Sequence, residues 1–191
     1  MLRYIDVMGT QGHRINFIVT AIALIVWFST PLSAATLDEL YEQLSGADAD
    51  TQPRIEGQIV AKWEQSGSAA MDLLLRRGKE ALEGGAPEVA IDHFSALVDH
   101  APDFAEGYHG RATSYYLLGM VGPALDDLRQ TLVLNPRHFG AMRGVGAILE
   151  GLERPEQALE AYRAFLDLNP ASADVLEAVE RLELQLEGQA L

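Results

Sequence analysis

The sequence contains no cysteine, and this absence narrows the chemistry that the chain can perform. Disulfide bonds, thiolate zinc sites, cysteine nucleophiles and iron–sulfur clusters are all excluded. Basic residues are also few, with 14 Lys and Arg against 28 Asp and Glu and a formal net charge of −14. Because binding to nucleic-acid phosphates requires a basic face, we expect no nucleic-acid partner.

Residues 1–35 have the composition of a secretory signal peptide. Arg3 and Arg14 lie before an apolar run over residues 15–28, which only two polar residues interrupt. Pro31 then ends any helix, and small residues occupy both recognition positions of a cut after Ala35. This order of basic, apolar and small residues predicts export, with cleavage after Ala35 and a periplasmic location.

The alternative interpretation is that the same apolar run is retained as an inner-membrane anchor. Its 14 residues make a helix of about 21 Å, whereas the hydrocarbon core is about 30 Å thick, which favours cleavage. Translation from Met8 instead of Met1 is also left open. Loss of residues 1–35 would leave 12 basic and 27 acidic residues and a net charge of −15.

A period of 34 residues runs through most of the remaining chain. Residues of similar size recur at this spacing without an insertion: Ala90, Ala124 and Ala158; Pro102, Pro136 and Pro170; Gly78, Ala112 and Gly146; Phe94, Leu128 and Tyr162. The small residues predict sites where two helix backbones approach closely, and the large ones predict the side chains between helices. Each proline removes a backbone donor and ends a helix, while Pro87 and Pro155 can begin one.

This pattern resembles the tetratricopeptide repeat (TPR). In that register the repeats are Met71–Phe104, Ala105–His138 and Phe139–Ser172, so that residues 71–172 contain three repeats. The resemblance implies an all-α fold, an α-solenoid of stacked antiparallel helix pairs. Three copies in one register make the resemblance specific, although the motif itself is degenerate.

The segments on either side of the repeats also predict helices. Residues 36–70 are expected to form two leading helices, the first with a capping box of Thr36 and Glu39, the second opened by Pro53. We expect Trp63 to pack these helices onto the first repeat. Residues 173–191 predict a capping helix that shields the last repeat. Its apolar stripe comprises Val175, Leu176, Val179, Leu182 and Leu186. The whole mature chain is therefore predicted to contain nine helices and no sheet.

No pattern in the sequence predicts catalysis, metal binding or a cofactor. No two histidines have the spacing of a helical zinc site with a glutamate. We expect His93, His100, His109 and His138 to lie far apart. Asp126 and Asp127 are expected to lie on a solvated face. We therefore predict no catalytic residue, no metal and no enzyme activity. An unrecognised hydrolase remains the alternative that converging carboxylates or histidines would favour.

The resemblance to TPR proteins implies a binding groove for a peptide or a partner helix. In that family the fifth and ninth positions of each repeat form the groove floor. Here the predicted floor comprises Leu75, Lys79, His109, Thr113, Arg143 and Ala147, with Tyr116 beside it. The Lys and Asn residues with which one subclass clamps a terminal carboxylate are not matched. Two interpretations of this floor are open. It is either a mixed polar surface without charge preference or, as the sharper hypothesis, a site where Arg143 and Lys79 hold an acidic or carboxylate-ended segment.

Two functions follow from this groove. The first is a non-enzymatic periplasmic scaffold or adaptor that holds segments of a partner protein. The alternative is an envelope assembly factor anchored in the membrane by an uncleaved N-terminal segment. The identity of the partner is not encoded in any motif that we find.

Overall fold

A computed structural model describes residues 35–189 of the chain. The predicted signal segment and the choice between Met1 and Met8 lie outside the described residues. Residues from Thr36 onward form one compact unit. No helix in the described range combines the length and the apolar character needed to cross a membrane.

Nine α-helices and no strands occur between residues 35 and 189, which confirms the predicted all-α fold. In chain order they are α1 (Leu37–Ser45), α2 (Gln52–Trp63), α3 (Ala69–Glu83), α4 (Pro87–His100), α5 (Ala105–Leu117), α6 (Val121–Leu134), α7 (Phe139–Gly151), α8 (Pro155–Leu168) and α9 (Ala173–Gln189). Loops of three residues join α3 to α4, α5 to α6 and α7 to α8. Such short connections make each of these pairs antiparallel neighbours.

Local sequence signals account for several helix ends. The Thr36 hydroxyl accepts the Glu39 N–H at 3.3 Å, and the Glu39 carboxylate accepts the Thr36 N–H at 2.7 Å. This is the predicted capping box, which satisfies two backbone donors that the helix itself leaves free. Pro87 and Pro155 each occupy the first position of a helix, as predicted.

One position in the three-residue loops adopts a left-handed backbone in every repeat. Gly85 has φ +69° and Gly119 has φ +71°, and Glu153 holds the same place in the third repeat with φ 57°. Glycine adopts this conformation without steric cost, whereas a residue with a Cβ does not. The third loop therefore carries backbone strain that the first two avoid.

At two of the periodic small positions, Gly78 and Gly146, an aromatic ring of the next helix lies nearest, where we expected close approach of a second backbone. A Cβ added to Gly78 would lie 2.5 Å from the Phe94 ring, and one added to Gly146 would lie 2.5 Å from the Tyr162 ring. In each case the first helix of a pair leaves room for an aromatic ring from the second. In the middle repeat, Ala112 shares its core cluster with the smaller, aliphatic Leu128.

Asp127 does not lie on a solvated face, so that prediction was wrong. Its side chain is buried against Arg111, which donates from Nε and Nη2 to the two carboxylate oxygens at 2.7 and 2.8 Å. Neighbouring Asp126 stays exposed, as predicted. The difference arises because α6 presents Asp127 to Arg111 on α5 and Asp126 to solvent.

Helix α9 covers the last helix pair with a narrower stripe than predicted. Val175, Ala178 and Leu182 are buried, and their spacing places them on one helix face. Leu176, which we expected in that stripe, is 46% exposed because it follows Val175 around the helix and points away from α8.

Candidate functional site

An open pocket with a volume of about 470 Å³ lies between α5, α7 and α9. Five of the seven residues predicted to form the groove line it: His109, Thr113, Tyr116, Arg143 and Ala147. The capping helix supplies the facing wall with Asp174, Val175 and Ala178. The sequence did not predict this contribution, because the angle at which α9 packs depends on the whole last repeat.

The other two predicted residues, Leu75 and Lys79, line a second cavity, which His109, Thr113 and Arg143 also border. This cavity has a volume of about 490 Å³ and lies between helix α2 and the first helices of the repeats. Leu75 is only 5% exposed and belongs to the core cluster between α3 and α4. Lys79 forms an ion pair with Glu64, which follows α2 directly.

Helix α2 lies over the groove instead of extending the stack beyond the first repeat. Trp63 was expected to contact the first repeat, but its indole stacks on the imidazole of His138, with ring centroids 4.4 Å apart and planes inclined by 22°. It also contacts Phe139 at a centroid distance of 4.7 Å. His138 and Phe139 mark the boundary between the second and third repeats, so the expected position of Trp63 was wrong.

Helix α1 contacts Arg137, which lies in the segment between α6 and α7. The Tyr41 hydroxyl donates to the Arg137 carbonyl at 3.1 Å, and the Arg137 guanidinium lies 4.0 Å above the Tyr41 ring. Arg137 also pairs with Asp38 at 2.7 Å. Burial raises the pKa of Tyr41 to about 12, although the charge of Arg137 acts in the opposite direction. Tyr41 therefore stays a neutral hydrogen-bond donor.

The two cations of the predicted floor each contact a carboxylate from a flanking segment. Lys79 pairs with Glu64 from the leading segment, and Arg143 pairs with Asp174 from α9 at 3.4 Å. The hydrogen bond from Ser172, assisted by the charge of Arg143, holds the pKa of Asp174 below its usual range. Arg143 remains 55% exposed, so an external carboxylate can approach it.

His109 and His138 lie together, contrary to the expectation that the histidines are far apart. Their ring centroids are 4.4 Å apart, and His138 Nε2 lies 3.0 Å from a carboxylate oxygen of buried Glu106. The two rings meet because His138 immediately precedes α7, which packs beside α5. Burial lowers the pKa of His109 to about 4; the charge of Arg143 acts in the same direction, and the Glu106 carboxylate opposes it.

These three side chains have the composition of a metal site, with ligand atoms all within 4.8 Å of one another. The hydrogen bonds of His138 indicate a structural role instead. His138 Nδ1 accepts the Ala141 N–H at 3.0 Å and caps α7, so the ring proton lies on Nε2 and is donated to Glu106. A metal at Nε2 would need the proton to move to Nδ1, where it would face the Ala141 N–H. The same bonds leave His138 without a free nitrogen to act as a general base.

The chain is similar to proteins that contain tetratricopeptide repeats. A TPR repeat-containing protein of Rhizobium etli is 34% identical over 153 residues, which cover 80% of this chain and 75% of that protein. The Hsp70-Hsp90 organizing protein 1 of Glycine max is 26% identical over 110 residues, which are 58% of this chain and 19% of that protein. No protein-family model matches the chain.

A solved structure shows the same fold. The first TPR of Spaghetti (RPAP3), bound to the HSP90 peptide SRMEEVD, superposes with a TM-score of 0.59 at 23% identity. The superposition covers 61% of this chain and 93% of that one.

Proposed function

The chain belongs to the tetratricopeptide-repeat family, and from that premise we propose that it is a non-enzymatic scaffold that binds a segment of a partner protein. The observation that carries this proposal is the pocket between α5, α7 and α9, in which His109, Thr113, Tyr116, Arg143 and Ala147 come together. The pocket is open to solvent, and its lining combines apolar side chains such as Leu128, Ile148 and Val175 with a few polar groups, as binding sites for short segments commonly do.

The charge at the pocket favours a segment that carries a carboxylate. Arg143 is the cation on its wall, and its partner Asp174 is exposed, so the pair can open without uncovering a buried charge. An arginine can form two parallel hydrogen bonds to one carboxylate, which orients the bound segment. The structurally similar Spaghetti domain is bound to a short peptide with several acidic residues, SRMEEVD.

Site-specific photo-crosslinking tests where the partner binds. A photoreactive amino acid at Thr113, which lines the pocket, is expected to give a discrete protein adduct in envelope extract. The control position is Val133 on α6, which is 71% exposed and does not line the pocket. Equal adducts from both positions, or adducts from Val133 alone, would place the binding surface elsewhere.

Charge reversal then tests the role of the cation. Arg143→Glu should abolish the Thr113 adduct while leaving the melting temperature nearly unchanged, because its ion pair is exposed and such pairs contribute little to stability. Arg129→Glu is the matched control, since Arg129 forms an equally exposed pair with Asp126 outside the pocket. If Arg143→Glu retains the adduct, the carboxylate part of the proposal is wrong.

We place this scaffold in the periplasm, exported by the signal segment and cleaved after Ala35. The second candidate, a membrane-anchored envelope assembly factor, is favoured by the apolar run over residues 15–28. The mass of the protein recovered from the envelope separates the two. A product that begins at Thr36 in the soluble fraction supports the periplasmic scaffold, and full-length protein in the membrane fraction supports the anchored factor.

A further inference from the structure

We propose that Trp63 and Glu64, at the end of helix α2, are an internal ligand of the groove, and that the partner segment displaces them with an aromatic side chain followed by a carboxylate. This inference rests on the proposed function and names the chemistry of the partner. Four observations carry it: the stacking of Trp63, the ion pair of Glu64, the incomplete packing beneath α2 and the hinge that follows it.

The aromatic contact is made against residues of the repeats rather than against the leading helices alone. Trp63 stacks on His138 at 4.4 Å and tilts against Phe139 at 4.7 Å. His138 is 1% exposed and its ring is fixed by hydrogen bonds from both nitrogens. The repeats therefore present a rigid flat surface that selects an aromatic ring.

The carboxylate contact lies one residue further along the chain. Glu64 pairs with Lys79, a predicted floor cation, on α3. Both side chains are part-exposed, with 44% of Lys79 and 28% of Glu64 accessible. The ion pair is therefore weak enough to exchange with a carboxylate from another molecule.

Space remains between α2 and the groove floor, although the apolar side chains of α2 such as Ile59 are buried. A cavity of about 490 Å³ remains between α2 and the floor, and the Trp63 Nε1–H is buried without a hydrogen-bond partner among residues 35–189. An unpaired buried donor is unfavourable. A partner segment that fills the cavity and pairs its own polar groups would bind better than α2 does.

The chain after α2 can serve as a hinge. Residues 64–68 connect α2 to α3 and include Gly67 at φ +79°. Opening this segment would move α1 and α2 away together, because the two helices pack on each other and Tyr41 contacts Trp63. It would also expose buried residues such as Leu44 and Ile59, so the open form is rare. A partner then competes with the internal ligand. Because only a small fraction of the molecules is open, the apparent affinity of the partner is lower than its affinity for the open form.

A peptide that copies residues 52–66 tests the proposal in trans, with the full chain as receptor and fluorescence anisotropy as the measurement. We expect the peptide to bind Trp63→Ala at least ten-fold more tightly than the unaltered chain, because the variant lacks the competing indole. The same peptide with alanine at the positions of Trp63 and Glu64 should not bind. Equal affinity for the variant and the unaltered chain would overturn the proposal.

A second variant covers the case in which Trp63→Ala folds poorly. Glu64→Lys keeps the indole and places a second cation beside Lys79, so the segment should open and the peptide should again bind more tightly. Glu42→Lys on the exposed face of α1 is the control for the change in net charge. If both lysine variants bind the peptide equally, Glu64 has no part in closing the groove.

Cross-linking provides the opposite test. Because the chain has no cysteine, Asp38→Cys with Arg137→Cys introduces only two thiols, at residues whose side chains form an ion pair at 2.7 Å. A short bismaleimide between them should hold the leading helices closed and weaken peptide binding at least ten-fold relative to the same variant without the linker. Unchanged binding would contradict the proposal. If these tests fail while the Thr113 adduct persists, only the internal ligand is lost and the proposed function stands.

Discussion

Arg111 and Asp127 join helices α5 and α6 through two parallel hydrogen bonds of 2.7 and 2.8 Å. The guanidinium also lies within 6.0 Å of the centroids of the Tyr108 and Tyr115 rings. The hydrogen bonds to Asp127 raise the pKa of Arg111 further above its usual value. This pair occupies the middle of the repeat array, so its loss should affect the whole stack.

Asp127→Ala is expected to destabilise the protein by about 2 kcal/mol, because it leaves the Arg111 charge half-buried without its two acceptors. Asp126→Ala is the matched control one residue earlier in the same helix. Its pair with Arg129 is exposed, so the change should stay within about 0.5 kcal/mol. Urea unfolding monitored by circular dichroism measures both. Equal losses would show that the Arg111 pair contributes no more than a surface pair.

Gly146→Ala is expected to destabilise the protein by about 1–3 kcal/mol, because its new methyl group would overlap the Tyr162 ring. Gly57→Ala should have the opposite effect, since Gly57 lies inside α2 with nothing within 4 Å of an added Cβ. Alanine there should stabilise the helix by about 1 kcal/mol. Melting temperatures of the two variants should therefore shift in opposite directions. A rise with Gly146→Ala would mean that the ring can move aside.

His109 should make the stability of the protein depend on pH. Its folded pKa of about 4 lies below the ordinary value of 6.5, so the unfolded chain binds a proton first as the pH falls. The contribution of His109 is therefore complete above about pH 6.5 and is lost as the pH falls toward 4. The loss is on the order of 3 kcal/mol at most.

His109→Gln isolates this contribution from that of the carboxylates. The free energy of unfolding of the variant should fall less steeply between pH 6.5 and pH 4.5 than that of the unaltered chain. Two parallel curves would show that His109 is not held neutral in the folded state.

Leu182→Asp and Leu184→Asp compare the two faces of α9. Leu182 is 1% exposed and Leu184 is 63% exposed. The first change should cost about 3 kcal/mol, because it removes buried apolar contacts and buries a carboxylate without a partner. The second should be nearly neutral. Thermal unfolding and size-exclusion chromatography measure stability and aggregation. A neutral Leu182→Asp would show that α9 does not cap the stack.

The periodic part of the fold follows directly from the sequence. Recurring residues such as Ala90, Ala124 and Ala158 are all fully buried, and the helix ends at Pro87 and Pro155 follow from local backbone rules. These signals are short-range and repeat three times, so each copy supports the interpretation of the others. The predicted groove positions on α5 and α7 share one pocket for the same reason, since a regular stack places equivalent positions side by side.

The tertiary structure alone decided what lies against that groove. Trp63 meets His138 across 75 residues of sequence, and His109 meets the same ring across 29. Neither contact belongs to the 34-residue pattern. The first depends on where a non-repeating segment packs, and the second on how the second and third repeats pack against each other. Amphipathic patterning of α2 predicts a buried face but not the partner of that face. The sequence by itself therefore determined the nine helices of residues 35–189 and the stacking of the repeats. Packing between distant segments decided that α2 lies over the groove, because such contacts leave no local or periodic trace in the chain.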